Sequence, residues 1–105
     1  MIQEKELYKA TGTQIKKIRK AKGYSQSDLA KSVGIERTSI TNIESGNQKV
    51  TLFVLYKICE VFDIALDGVM PSIKDVQLHE VENSAIGSTI VGTKTFEVYE
   101  RIKQN

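Results

Sequence analysis

The stretch SQSDLAKSVGIERTSITNIESG, residues 25–46, holds two short apolar patterns with one glycine between them and another at its end. Ser25 is an N-cap type, and Asp28 stands three residues on, where a capping box would have Glu or Gln. Leu29, Ala30 and Val33 follow at helical spacing, and Gly34 stops them. A second pattern, from about Glu36 to Glu44, buries Ile40 and Ile43 and ends at Gly46. Two helices of about eight residues, joined at a steep angle by a turn of about three or four, make a helix-turn-helix. The crossing point needs a small side chain, which Ala30 supplies. The turn needs positive φ, which Gly34 supplies. Ile35 plugs the turn, and Ile40 and Ile43 anchor the second helix from beneath.

Arg37, Thr38, Ser39, Thr41 and Asn42 bury nothing in this reading. They occupy the N-terminal half and outer face of the second helix, the part that enters a major groove. Arg suits guanine O6/N7, Asn suits adenine N6/N7, and Thr offers a hydroxyl and a methyl. Gln26, at the start of the preceding helix, can reach a phosphate where backbone N–H groups and the positive dipole end also favour one. Asn47, Gln48 and Lys49, in the loop that follows, could hold further phosphates.

Outward from this core, TQIKKIRKAKG (13–23) reads as a basic helix capped by Thr13, with Ile15 and Ile18 on one face and Gly23 at its end. Residues 1–12 read as a lead-in with a short helical stretch. Thr51 caps a fourth helix with Leu52, Leu55, Ile58, Cys59 and Phe62 on its inner face. Ile64, Leu66, Val69 and Met70 suggest a short fifth helix before Pro71. Beyond Pro71 the pattern weakens: STIVGT (88–93) is strand-like or flexible, and Phe96, Val98, Tyr99 and Ile102 fit a helix or a strand. Three segments result: a lead-in (1–12), an all-α domain (13–71) and an extension (72–105).

Charge and composition narrow the function. The net charge is +2 over 105 residues. Residues 1–71 hold 11 Lys/Arg against 8 Asp/Glu, and residues 72–105 hold 4 against 5. The basic excess lies with the helical domain and is compatible with nucleic acid. One cysteine (Cys59) and one histidine (His79) give no disulfide framework and too few soft ligands for an ordinary zinc site. His79 has no nucleophile motif beside it, so no catalytic role is expected. Cys59 reads as a small core residue and His79 as a surface or interface residue. No run is apolar enough to span a bilayer, and MIQEKELYK is no signal peptide, so a cytoplasmic protein without cofactor or metal is expected.

IKKIRKAKGYSQSDLAKSVGIERTSITNIESGN and TLFVLYKICEVFDIALDGVM together resemble the Cro and phage-repressor type helix-turn-helix family, also called the XRE family. The resemblance covers residues from about 13 to 70. It implies a five-helix repressor-like domain in which Gln26 contacts phosphate and braces the recognition helix. Arg37 and Thr38 would be the leading base readers, with Thr41 and Asn42 further along the same face. Arg19 and Glu44 match a family pair that forms a partly buried salt bridge between the first and third helices. Val50, Cys59 and Gly68 depart from common family residues, none of them on the reading face.

The expected function is that of a transcriptional regulator, more specifically a repressor binding double-stranded DNA as a homodimer on a pseudo-palindrome, with residues 72–105 dimerising. One alternative is an antitoxin that represses its own operon and binds a toxin through the same extension. Another is a protein-interaction module that does not read DNA; it would carry exposed apolar residues on the outer face of the third helix, whereas this face is polar.

Overall fold

The computed structural model describes residues 1–77. The expectations for His79, for the 88–93 stretch and for Phe96, Val98, Tyr99 and Ile102 lie outside the described residues. Four α-helices follow one another: α1 (Glu4–Ala21), α2 (Gln26–Val33), α3 (Arg37–Ser45) and α4 (Leu52–Phe62). A short 3-10 helix, Leu66–Gly68, is the fifth, within the segment where a short fifth helix was expected. There is no strand among the described residues.

The local signals of residues 25–46 act as read. Ser25 Oγ accepts from the Asp28 N–H at 3.0 Å, and Asp28 Oδ2 accepts from the Ser25 N–H at 3.0 Å, closing a reciprocal capping box. Gly34 ends α2 at φ +86° and Gly46 ends α3 at φ +82°, both in the left-handed region that penalises a Cβ. Glu36 is the N-cap of α3 rather than its first helical residue, and its side chain makes no cap bond. Thr51 caps α4, its hydroxyl accepting from the Val54 N–H.

The start of α1 differs from the sequence expectation. Thr13 is not a cap: it is an exposed residue within a helix that begins at Glu4. Thr11, Gly12 and Thr13 are poor helix formers, and Thr13 is a natural cap type, so the sequence suggests a boundary there. Tertiary contact overrides that preference. Gly12 is fully packed against α3, where a Cβ would collide with the Ile43 carbonyl oxygen and lie 2.8 Å from that of Glu44. The neighbouring Thr11 hydroxyl is tied back to the Leu7 carbonyl at 2.9 Å. Glycine here serves close approach of two backbones.

The core is formed by Ile15, Leu29, Ala30, Ile40, Ile43, Leu55, Ile58, Cys59, Phe62 and Val69, one face of each helix and of the final turn. Ile15, Leu29, Ile40 and Ile58 are wholly buried. Each such side chain contributes about 1.5–3 kcal/mol of burial free energy. Tyr24 meets Phe62 edge to face at 5.1 Å between ring centroids, closing the turn between α1 and α2 over α4. Ile35 and Ile18 pack against this core at its margin, half-buried. Leu52 is not on the inner face of α4 as its spacing suggested. It is 66 % exposed, with Phe53 at 70 % and Tyr56 at 55 % beside it on the outer arc. Met70 also faces solvent, while Val69 is buried. Beyond Pro71, Ser72 and Asp75 cap each other reciprocally at 3.1 Å, and Val76 is buried.

Candidate nucleic-acid interface

α3 divides into two arcs. Ile40, Ile43 and Glu44 are buried; Arg37, Thr38, Thr41, Asn42 and Ser45 are exposed. The exposed arc carries one cation and four neutral hydroxyl or amide side chains, a set rich in hydrogen-bonding groups of both kinds. Ser39 lies at the edge of the buried arc and is half-buried, apart from the other four predicted reading residues. Ser45 takes its place on the exposed arc, its hydroxyl donating to the Asn42 carbonyl at 3.0 Å. The sequence signal for Ser45 was the 3.6-residue period itself, which places residues 38, 41, 42 and 45 on one side of a helix.

The arc is held from beneath by a chain of polar contacts. Arg19 of α1 makes a two-pronged pair with Glu44 of α3: Nε to Oε2 at 2.6 Å and Nη2 to Oε1 at 3.1 Å. The two side chains are only 8 % and 2 % exposed. Arg19 Nη1 donates to the Tyr24 carbonyl at 2.7 Å, so the guanidinium also fastens the turn before α2. Glu44 Oε1 accepts a further bond from Gln26 Nε2 at 3.2 Å. Gln26 Oε1 in turn accepts from the Thr41 hydroxyl at 3.0 Å. A buried ion pair is tolerable only when its remaining donors and acceptors are also satisfied. Every buried side-chain nitrogen and oxygen among the described residues has a partner.

Gln26 is thus brought to the exposed arc of α3 by its amide, with Glu44 on one side and Thr41 on the other. The loop after α3 also turns back onto that helix: the Asn47 and Gln48 N–H groups donate to the Asn42 carbonyl at 2.9 and 3.1 Å. Asn47 therefore stands beside Asn42, as a contiguous surface requires. Lys49 is placed differently from a free phosphate ligand: its ammonium is paired with the Glu4 carboxylate at the start of α1. Ala30 is buried in α2, and Gly34 ends that helix in the left-handed conformation, with open space where a Cβ would stand. Arg19, Gly34, Ile40, Ile43, Ala30 and Glu44 together position the arc without facing solvent, Gly34 excepted.

Two ionisable groups near the helix ends are shifted. Backbone and side-chain hydrogen bonds from Ser25 hold the Asp28 carboxyl below the ordinary aspartate value. The hydrogen bond and charge of Glu4 raise the Lys49 ammonium. Burial pushes the Cys59 thiol up, which fits a packing residue and not a reactive one. No cluster of three or more possible metal ligands occurs among the described residues. No helix among them is long and apolar enough to cross a membrane.

Comparison with known proteins places this arrangement. The helix-turn-helix family matches residues 15–69. A protein of Pyrococcus abyssi named as an HTH-type transcriptional regulatory protein is 37 % identical over 91 residues, 87 % of this chain and 28 % of that protein. The chain thus spans less than a third of that relative. Antitoxin HipB of Escherichia coli is 33 % identical over 52 residues, 50 % of this chain and 59 % of that one. Among solved structures, the restriction-modification controller protein C.AhdI from Aeromonas hydrophila superposes with a TM-score of 0.58 at 28 % identity, covering 60 % of this chain and 96 % of that chain. The SinR/SinI complex gives 0.55 at 26 % identity, covering 89 % and 96 %. The relatives named for a role are regulators and an antitoxin rather than enzymes. With its turn, crossing residue and buried Arg19–Glu44 brace in place, the chain belongs to the helix-turn-helix family, of the XRE type.

Proposed function

We propose that the helical domain, residues 13–71, binds double-stranded DNA in a sequence-specific manner and that the protein is a transcriptional regulator, acting as a repressor by occluding a promoter. The observation that carries this is the exposed arc of α3. Arg37, Thr38, Thr41 and Asn42 offer base-reading chemistry on a helix whose underside is locked by the Arg19–Glu44–Gln26 chain. Arg37 and Thr38, in the first turn, are the leading base readers, and Gln26, Asn47 and Lys49 contact phosphates. Ser39, half-buried, contributes at the margin.

One short helix reads only a few base pairs, so useful specificity calls for two copies on a pseudo-palindrome, with half-sites about one helical turn apart. We place dimerisation in residues 72–105. The exposed Leu52, Phe53 and Tyr56 on α4 offer a second surface for it. Selection of bound duplexes from a random pool tests the reading. Enrichment of two inverted half-sites supports it; a pool that stays random overturns it.

A second reading rests on the similarity to antitoxin HipB: an antitoxin that represses its own operon and binds a toxin through residues 72–105. A pull-down in which the chain truncated after residue 77 keeps DNA binding but loses a stoichiometric protein partner would favour it. A non-DNA interaction module is disfavoured by the polarity of the α3 arc, which carries no exposed apolar side chain.

A further inference from the structure

The helix-turn-helix match begins at residue 15, yet α1 begins at Glu4. Its first turns are docked rather than projecting. Lys9 packs beneath Gly46, close enough that a Cβ there would lie 2.7 Å from Lys9 Cγ and 2.9 Å from Lys9 Cα. The first turn is closed by the Leu7 N–H donating to the Gln3 carbonyl at 3.0 Å. The start of α1 is thereby held against the loop that follows α3. At that junction the Glu4 carboxylate pairs with the Lys49 ammonium, both about two-thirds exposed. The Tyr8 phenol is the other titratable group acting on Lys49.

We propose that Glu4 is an affinity-setting residue that competes with DNA phosphate for Lys49. The inference rests on the DNA-binding reading above. Lys49 is one residue beyond Gln48 and two beyond Asn47, whose N–H groups fold the loop against α3. A duplex lying along the α3 arc brings its phosphate backbone to this loop. An ammonium has three donors but one positive charge. Engaging a phosphate therefore exchanges one anion for another, and the Glu4 carboxylate is left with a lost partner next to a polyanion. The contact lowers affinity for every duplex alike, because phosphates carry no sequence information. It holds down non-specific binding while base readout by α3 is untouched.

The test is a double-mutant cycle on the full chain, with Glu4→Gln, Lys49→Gln and the double variant. Each is titrated by fluorescence anisotropy into a labelled duplex of random sequence at several salt concentrations. Circular dichroism checks that α1 stays helical. An exposed pair is weak, so Glu4→Gln should tighten binding by about two- to five-fold. It should also steepen the salt dependence by up to about one counterion. In the Lys49→Gln background the same change should have no effect. An equal gain in both backgrounds would mean that Glu4 merely repels DNA, and unchanged or weaker binding by Glu4→Gln would also overturn the proposal. Wild-type protein that shows no salt-dependent binding at all would instead overturn the DNA reading on which it rests.

Discussion

Arg19 and Glu44 sit at the centre of the polar chain beneath α3, and each serves more than its partner. Arg19 reaches the Tyr24 carbonyl, and Glu44 holds Gln26. Removing one charge would leave the other buried and uncompensated. Glu44→Gln or Arg19→Met should therefore cost about 3–5 kcal/mol in urea unfolding, whereas an Arg19→Met/Glu44→Met double variant should cost less than the two singles added. On the opposite arc, Arg37→Ala should leave stability within about 0.5 kcal/mol, since Arg37 is exposed. It should weaken binding to a selected duplex by about 1–3 kcal/mol and relax preference at one base pair. Equal losses on all duplexes would reassign Arg37 to phosphate. The reading of Arg37 came from residue type and helical spacing, whereas the Arg19–Glu44 pair came from the family resemblance, since no spacing links residues 19 and 44. The part played by Glu4 was not legible in the sequence, because no periodicity links residue 4 to residue 49.

The helices differ in where their ends are decided. α2 is decided locally: Ser25 and Asp28 satisfy each other's N–H groups, and Ser25→Ala should cost about 0.5–2 kcal/mol. Asp28 titrates below its ordinary value in the folded state, so its contribution is complete above that ordinary value. It is lost as pH falls through the lower folded one. Melting curves of wild type and Asp28→Asn should therefore differ near neutrality and converge in acid. α1 is decided by packing. Thr13 carries a cap's chemistry but lies mid-helix and exposed, so Thr13→Ala should change stability by less than about 0.5 kcal/mol. Gly12→Ala drives a methyl into the Ile43 carbonyl and should cost about 3 kcal/mol or more, parting α1 from α3. Reading Thr11–Gly12–Thr13 as a boundary follows local propensity; only the approach of α3 shows why a glycine is needed there. Leu52 shows the same limit on α4, since its spacing is compatible with the inner face and its neighbours in space leave it outside.

At the scale of the whole molecule, the fold keeps its apolar and polar work on separate sides. Ile15, Leu29, Ile40, Ile58 and Val69 close one core, and the chain from Arg19 to Thr41 carries its rigidity to the exposed arc of α3. That division was readable from residues 25–46, where the unburied positions alternate with the buried ones. The outer arc of α4, with Leu52, Phe53 and Tyr56, was not, because that helix carries apolar residues all round and spacing alone does not say which face is covered. The central claim is that the α3 arc is where the protein meets DNA. Titrating isotope-labelled protein with a duplex recovered by selection, and following backbone amide shifts by NMR, tests it most directly. The largest changes are predicted at Gln26, Arg37, Thr38, Thr41, Asn42 and Asn47, with α4 little affected. Changes confined to Leu52, Phe53 and Tyr56, with α3 silent, would contradict it.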